Sequence, residues 1–228
     1  MSGSKFHFKL NKVWLPLLVL VCAINLQYAT ASVRNFKKES DGVLFTLNKG
    51  ILKIKLCTAD IVEVKYTQFD AFQTKESLVV NNKWSTPVAF TVADAGNTIV
   101  ITTARLKVVV DKATNAISYL TKSGAVITSE DKASKTMQAA TIAGIKTYNC
   151  TTEFNSPADE ALFGLGCHPT DSLSVNYKGR DQQMLIKYMT GAIPVLLSTK
   201  GYGLMWDNYS ASNFYGAEDN NTKFKYVS

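Results

Sequence analysis

Few side chains in this sequence are suited to acid–base or nucleophilic catalysis. The 228 residues include two histidines, His7 and His168, and no nucleophile-elbow, phosphate-loop or dinucleotide-binding glycine motif. His168 directly follows Cys167, but neighbours in a strand point to opposite faces, so a structural role is favoured over a catalytic dyad. No metal-ligand spacing is present. We therefore predict neither a metal site nor a cofactor.

Carboxylates are the remaining candidates for chemistry. Asp171, Asp181, Asp207 and Asp219 lie among aromatic residues and glycines in the last third of the chain. Paired carboxylates cleave glycosidic bonds, but distance along the sequence does not show pairing. Turn formation or ion pairing is the ordinary role of such residues, so we assign no catalytic residue.

Strands, rather than helices, are predicted to position these residues. Apolar and polar residues alternate along 52–56, 62–66 and 106–110, which is typical of half-buried antiparallel strands. Turn residues such as Gly96 and Gly124 separate successive runs. The pattern predicts an all-β fold, either a sandwich or a barrel.

Three segments depart from this pattern. Residues 131–143 contain small apolar residues at poor helical spacing, for which we expect one short helix or an irregular connection. Residues 32–41 look like a lead-in segment. The sequence ends within the strand-like run 223–228, where domains normally end in polar, frayed residues, so we expect a coding sequence that was cut short.

The N-terminal 31 residues are predicted to be a secretory signal peptide. Lys5, Lys9 and Lys12 precede the apolar run 13–24, and Ala29-Thr30-Ala31 forms a small-x-small cleavage pattern. The apolar run is too short for a membrane span, which needs ~20 residues. We expect export to the periplasm or the medium, with lipid attachment at Cys22 as an open alternative.

Charge and cysteine content narrow the function classes further. The net charge is +7, but Lys and Arg are spread along the predicted strands, so we predict no nucleic-acid partner. Cys57, Cys150 and Cys167 follow the predicted signal peptide without a C-x-x-C pair. One disulfide with one free thiol and three inert cysteines are both compatible with this spacing.

The region 161–216 contains the densest set of motifs. They are F-G-L-G at 163–166, G-R-D at 179–181, I-P-V-L-L-S at 193–198 and G-Y-G-L-M-W-D-N at 201–208. This ordered set resembles the N-terminal domain of glycoside hydrolase family 31, which includes α-glucosidases and α-xylosidases. The form of the motifs is most similar to the bacterial α-xylosidase branch, and the resemblance covers about residues 36–228.

The resemblance implies a galactose-mutarotase-like antiparallel β-sandwich over 32–228. In such enzymes the sandwich packs against a (β/α)₈ barrel that carries the two catalytic aspartates. This chain ends before such a barrel, so we expect an accessory domain that is inactive alone. The expected substrate of the complete enzyme is an α-linked oligosaccharide derived from xyloglucan or starch.

The resemblance also implies that a loop of this domain reaches the rim of the active site. That loop would lie between Gly166 and Pro194. The outer-subsite contacts predicted on this basis, with His168 and Trp206 as the weaker candidates, are Arg180, Asp181, Lys187, Tyr188, His168 and Trp206.

Two other functions are compatible with the predicted fold. A free-standing carbohydrate-binding module would use a sugar-contacting face of the same sandwich. An aldose epimerase of the mutarotase type would need a glutamate with histidines for proton transfer. His168 is the only histidine after residue 31, which disfavours the epimerase.

Overall fold

In the computed structural model, the described residues are 32–132, 134–168, 175–186 and 190–228. They form strands, turns and loops without any helix, so this part of the chain offers no helix that could cross a bilayer. The described residues belong to one compact unit. The predicted signal peptide, Asp171, Lys187 and Tyr188 lie outside the described residues.

All the regular structure in the described residues consists of antiparallel strands. They are β1 (Val33–Glu39), β2 (Gly42–Leu47), β3 (Ile51–Leu56), β4 (Val62–Thr67), β5 (Thr91–Asp94), β6 (Thr98–Thr102), β7 (Leu106–Asp111), β8 (Ile117–Thr121), β9 (Val126–Ser129), β10 (Thr136–Ile142), β11 (Ile145–Asn155), β12 (Leu162–Cys167), β13 (Gln182–Met184), β14 (Gly191–Ser198), β15 (Gly203–Met205), β16 (Ser212–Glu218) and β17 (Lys223–Val227).

The first two sheets are meanders that share one core. Strands β1 to β4 form a four-stranded sheet and β5 to β9 a five-stranded sheet, each in sequence order. The alternating residues of both sheets pack together, with Phe45, Leu52 and Ile101 fully buried. Polar residues on the other face, such as Lys53, pair with carboxylates. This is the arrangement that period-2 alternation predicts.

The last two sheets share a second core and have a less local topology. The five-stranded sheet has the order β10-β11-β17-β16-β13, and the three-stranded sheet has the order β12-β14-β15. Aromatic residues dominate this core: Phe154 stacks on Phe224 at a centroid distance of 5.2 Å, and Phe214 meets Tyr226 edge to face at 5.3 Å. Leu162 and Leu196 close it from the three-stranded sheet.

Several contacts among the described residues join the parts built around these cores. The backbone of Glu130, just after β9, bonds to Ile117 and forms an isolated bridge with Phe154 of β11. The carboxylate of Glu130 pairs with the ammonium of Lys135, and both side chains are buried. Further along, Phe69 meets Tyr148 edge to face at 5.6 Å. The junction is therefore held by a buried ion pair and a ring contact.

The prediction of an all-β antiparallel fold is confirmed. The turns are also where the sequence placed them, with Gly96, Asn115 and Gly124 at positive φ between successive strands. The finer prediction of one sandwich is met only in part. Four separate sheets are present, an arrangement closer to four propeller blades than to two continuous layers. In each of the first two sheets, short hairpins join every strand to the next. Each sheet is therefore formed by one continuous segment of the chain, which explains why the sheets are separate.

Two predicted segments are corrected by the structure. Residues 131–143 were expected to hold a short helix or an irregular connection, but strand β10 occupies Thr136–Ile142 and pairs along its whole length with β11. The tight turn at Ala143-Gly144, both at positive φ, sets this register. Residues 32–41 were expected to be a lead-in, but β1 pairs with β2 as an edge strand. In both cases the pairing partner decides a locally ambiguous sequence.

Candidate functional site

The F-G-L-G motif forms a β-bulge in strand β12. The register with β14 shifts between Gly164 and Gly166, and Leu165 between them has a φ of 61° and is fully buried. A Cβ on Gly166 would lie 1.9 Å from the carbonyl oxygen of Gly191. Only glycine tolerates this approach at positive φ. The bulge bends strand β12 just before His168.

His168 is held by the bulge that precedes it. Its Nε2–H donates to the carbonyl oxygen of Leu165 at 2.7 Å. Its ring lies edge to face with Tyr177, with centroids 6.2 Å apart. The backbone N–H of Tyr177 in turn donates to the carbonyl of Leu162 at 2.7 Å. These contacts fix the side chain at the end of β12, next to the turn that carries Arg180 and Asp181.

The turn containing Arg180 and Asp181 packs against Gly216 of β16. The N–H of Gly216 donates to the Asp181 carboxylate and to the Arg180 carbonyl, both at 3.1 Å. The Gly216 carbonyl accepts from Gly179 at 2.7 Å. A Cβ on Gly216 would approach the Tyr177 carbonyl to 2.2 Å. Gly216 on β16 therefore positions both predicted contact residues, Arg180 and Asp181.

This turn lies at the edge of a polar surface that the sequence analysis missed. Gln183 pairs with Asn213, Tyr215 pairs with Lys225, and Lys225 pairs with Glu153 across neighbouring strands. Paired residues share a face, so these five side chains lie on the side of the sheet opposite the core residues Phe214 and Tyr226. We call Glu153, Gln183, Asn213, Tyr215 and Lys225 the Tyr215 face.

Register places Asp181 at the end of the Tyr215 face. Gln182 pairs with Phe214, so Asp181 comes next to Tyr215 along the antiparallel ladder. The order Asn213-Phe214-Tyr215 could have indicated this surface. Successive residues of a strand point to opposite faces, so a buried Phe214 implies that Asn213 and Tyr215 point away from the core.

Trp206 lies on the other side of the same sheet. Its ring stacks on Tyr226 at a centroid distance of 5.4 Å and an interplanar angle of 8°. Its indole N–H donates to the hydroxyl of Ser228 at 3.3 Å. One ring face is thus covered by the aromatic core. The structure brings Arg180, Asp181 and His168 close to one turn but places Trp206 apart from them.

A buried carboxylate network near β14 was also missed by the sequence analysis. Glu160 is 3% exposed and accepts hydrogen bonds from the hydroxyls of Tyr202 at 2.8 Å, Ser156 at 2.7 Å and Ser198. Burial and the nearby Glu160 raise the pKa of Tyr202 above its ordinary value of 10.0. The network connects residues before β12, before β15 and at the end of β14, and the Lys178 ammonium donates to the Ser156 hydroxyl at 3.1 Å, so it is suited to joining strands.

The described residues contain no cluster of three or more potential metal ligands. Cys57, Cys150 and Cys167 are free thiols, and burial raises the pKa of Cys57 and of Cys150. Nucleophilic thiols need the opposite shift. Burial therefore disfavours the thiolate forms of Cys57 and Cys150.

The three-stranded sheet exposes an apolar surface. Register places Phe163 and Leu197, and likewise Val195 and Met205, side by side on the face opposite the core. Leu197 is 55% exposed and Met205 41%. Leu196 and Leu204 point to the core side, whereas Ile193 on this second side is also exposed, at 56%. We call Phe163, Ile193, Val195, Leu197 and Met205 the apolar face.

Comparison with known proteins identifies the fold. The model of the glycosyl hydrolase 31 N-terminal galactose mutarotase-like domain matches residues 51–214. The structure of a GH31 α-xylosidase from Xanthomonas citri superposes with a TM-score of 0.69 at 26% identity. It covers 78% of this chain and 19% of its own.

Two further relatives agree with this match. An α-xylosidase of Saccharolobus solfataricus is 33% identical over 73 residues, which are 29% of this chain and 10% of that protein. A GH31 dextranase of Flavobacterium johnsoniae, solved with isomaltotriose, shares the fold with a TM-score of 0.69 at 20% identity, covering 88% of this chain and 25% of its own. This chain thus spans only a small part of the relatives it matches. Because the family model covers most of the chain, the protein belongs to the glycosyl hydrolase 31 N-terminal galactose mutarotase-like domain family.

Proposed function

We propose that this protein is the accessory domain of an exported α-glycosidase of the α-xylosidase type and docks on a catalytic domain through the apolar face. The proposal rests on one observation: both faces of the three-stranded sheet carry apolar side chains. One side fills a core with Leu162 and Leu196, while the other presents Leu197 and Met205 to solvent. Contiguous exposed apolar surfaces of this kind mark interaction sites.

The relatives support a catalytic domain as the occupant of this face. In the α-xylosidase of Xanthomonas citri and the dextranase of Flavobacterium johnsoniae, the matching part is 19% and 25% of the chain. The rest of those hydrolases is the natural candidate to cover the apolar face. Covering the second apolar side of the sheet removes that surface from water, which is favourable.

The proposal has finer parts that rest on the family resemblance of the sequence. The two pairs of sheets are the halves of a galactose-mutarotase-like β-sandwich. Arg180, Asp181 and His168 contribute outer-subsite contacts at the rim of the neighbouring active site, as Lys187 and Tyr188 would by their place in the sequence, and Trp206 supports the sheet from its core side. The substrate of the assembled enzyme is an α-linked oligosaccharide, and residues 1–31 direct export and are then removed.

A domain exchange tests the docking. Residues 32–228 replace the matching part of the Xanthomonas citri α-xylosidase, and hydrolysis of p-nitrophenyl α-xyloside is measured. We expect a soluble chimera that turns over substrate and loses most of its activity with Leu197→Lys. The control is Val126→Lys, since Val126 is 66% exposed on β9, away from the apolar face. An inactive chimera, or equal activity of the two variants, contradicts the proposal.

A further inference from the structure

We propose that the Tyr215 face is a saccharide-binding surface, with the ring of Tyr215 as the platform for one sugar ring. The inference rests on the proposed function, because it names a second place where an α-glycosidase of this kind would hold its substrate. It uses a different sheet from the one that carries the apolar face, and it depends on different residues.

The first argument is the arrangement of polar groups around one aromatic ring. Asn213 lies two residues before Tyr215 on β16, and Gln183 pairs with Asn213 from β13. Asp181 comes next to Tyr215 at the end of the same edge. Amide groups both donate and accept hydrogen bonds, and a carboxylate accepts them. Sugar hydroxyls need such a mixture, while the C–H face of a sugar ring packs on an aromatic ring.

The second argument is that the charges on this surface are already paired. The Lys225 ammonium lies over one face of the Tyr215 ring, 5.0 Å from its centroid, and 2.9 Å from the Glu218 carboxylate, so a sugar would pack on the other face of the ring. Lys223, two residues earlier on β17, lies 3.4 Å from Glu153 and from Asp131. Since each ammonium faces a carboxylate, the surface favours an uncharged polyhydroxylated ligand over a phosphate or a nucleic acid.

The third argument is that hydrogen-bonded backbone flanks Tyr215. Tyr215 stands on a strand paired on both sides, with β17 next to it and β13 at its edge. Its backbone neighbour Gly216 is bonded to the turn of residues 179–181 on the other side. A binding residue on a fixed strand loses little conformational entropy when the ligand binds. An open sheet face covers only one side of a sugar, so we expect weak binding, on the order of a millimolar dissociation constant.

The test is a titration of the isotopically labelled chain with isomaltotriose, maltotriose and a xyloglucan oligosaccharide, followed by amide chemical shifts. We expect shifts at Asn213, Tyr215 and Lys225 with at least one of the three ligands. Tyr215→Ala should weaken binding at least tenfold, whereas Tyr215→Phe should retain it, because the ring rather than the hydroxyl is the platform.

Matched variants separate this inference from the proposed function. Tyr209→Ala removes an aromatic side chain that is 46% exposed elsewhere and should bind as the unmodified chain does. Leu197→Lys should also leave binding unchanged, although it abolishes docking. Asn213→Ala provides a second measure if Tyr215→Ala fails to fold by circular dichroism. Shifts confined to other surfaces, no shifts with any ligand, or binding by Tyr215→Ala and Asn213→Ala as tight as that of the unmodified chain would overturn the inference.

Discussion

The phenol of Tyr202 donates a hydrogen bond of 2.8 Å to the carboxylate of Glu160, a side chain that is almost fully buried. Glu160 precedes β12 and Tyr202 precedes β15. These are the two edge strands of the three-stranded sheet, so the bond links its opposite edges. Ser156 and Ser198 add their hydroxyls to the same carboxylate. The network therefore fixes the sheet whose outer side we propose as the docking surface.

Removing this carboxylate should destabilise the fold. Glu160→Ala leaves the buried Ser156 hydroxyl and the half-buried hydroxyls of Ser198 and Tyr202 without this acceptor, and a buried unsatisfied group costs about 1–3 kcal/mol. We expect a loss of at least about 2 kcal/mol in urea unfolding. The neighbouring Asp159 makes an exposed ion pair with Lys200, so Asp159→Ala serves as the control and should change stability little. Equal losses of stability for the two substitutions would show that the buried network contributes no more than the exposed ion pair does.

The same network predicts a loss of stability at alkaline pH. Burial and the nearby Glu160 raise the pKa of Tyr202 in the folded chain, while in the unfolded chain it stays near 10.0. The contribution is therefore fully present below pH 10 and is lost as the pH rises from 10 toward the folded pKa. Unfolding free energies between pH 8 and 11 should fall less steeply for Tyr202→Phe. An unchanged slope would exclude Tyr202 as a source of the dependence.

The junction between the two cores should depend on the pair of Glu130 and Lys135. Burial lowers the pKa of Lys135 against the opposing effect of Glu130, and Glu130 also accepts the Ile117 N–H at 2.8 Å. Breaking a buried pair from one side costs about 3–5 kcal/mol, so Glu130→Ala should lower stability by that amount.

The double variant Glu130→Leu/Lys135→Met tests the origin of this loss. It removes both charges and should recover a large part of the stability, although the Ile117 N–H stays without its acceptor. Thermal unfolding of the two variants gives the comparison. A double variant as unstable as Glu130→Ala would mean that the buried charge is not the cause.

The bulge in β12 should tolerate no side chain at Gly166. Alanine there would bring a Cβ to 1.9 Å from a backbone oxygen at a φ of 97°, and we expect a loss of about 3 kcal/mol or more. Gly201 also has a positive φ of 80°, but no atom lies within 4 Å of its Cβ position. Gly201→Ala should therefore cost about 1–2 kcal/mol. Similar losses of stability at Gly166 and Gly201 would show that the positive φ, and not the close contact at Gly166, causes the loss.

Local features of this fold could be predicted from the sequence, and features set by distant pairing could not. The strands around Leu52 and Val108 and the turns at Gly96 and Gly124 follow from alternation and turn chemistry. Strand β10 was missed because its small residues have no clear period, and only its pairing with β11 defines it. The pairing of β11 with β17 joins residues such as Phe154 and Phe224 that no local pattern connects.

The candidate site shows the same limit. Motif resemblance found Arg180 and Asp181, because glycines and their neighbours form recognisable short patterns. Tyr215 and Glu160 were missed, because their significance lies in which strand stands beside them. The placement of Trp206 against Tyr226 could not be predicted either, since a tryptophan near glycines looks alike in a core and in a binding surface.

The central position of β17 has a consequence for synthesis on the ribosome. β17 lies between β11 and β16, so the second core lacks its middle strand until Lys223–Val227 have left the exit tunnel. The first core is built from consecutive hairpins and can close as soon as residue 129 emerges. Translation therefore separates the two cores in time: the aromatic residues of the second core stay exposed to chaperones and to other nascent chains until the last strand arrives.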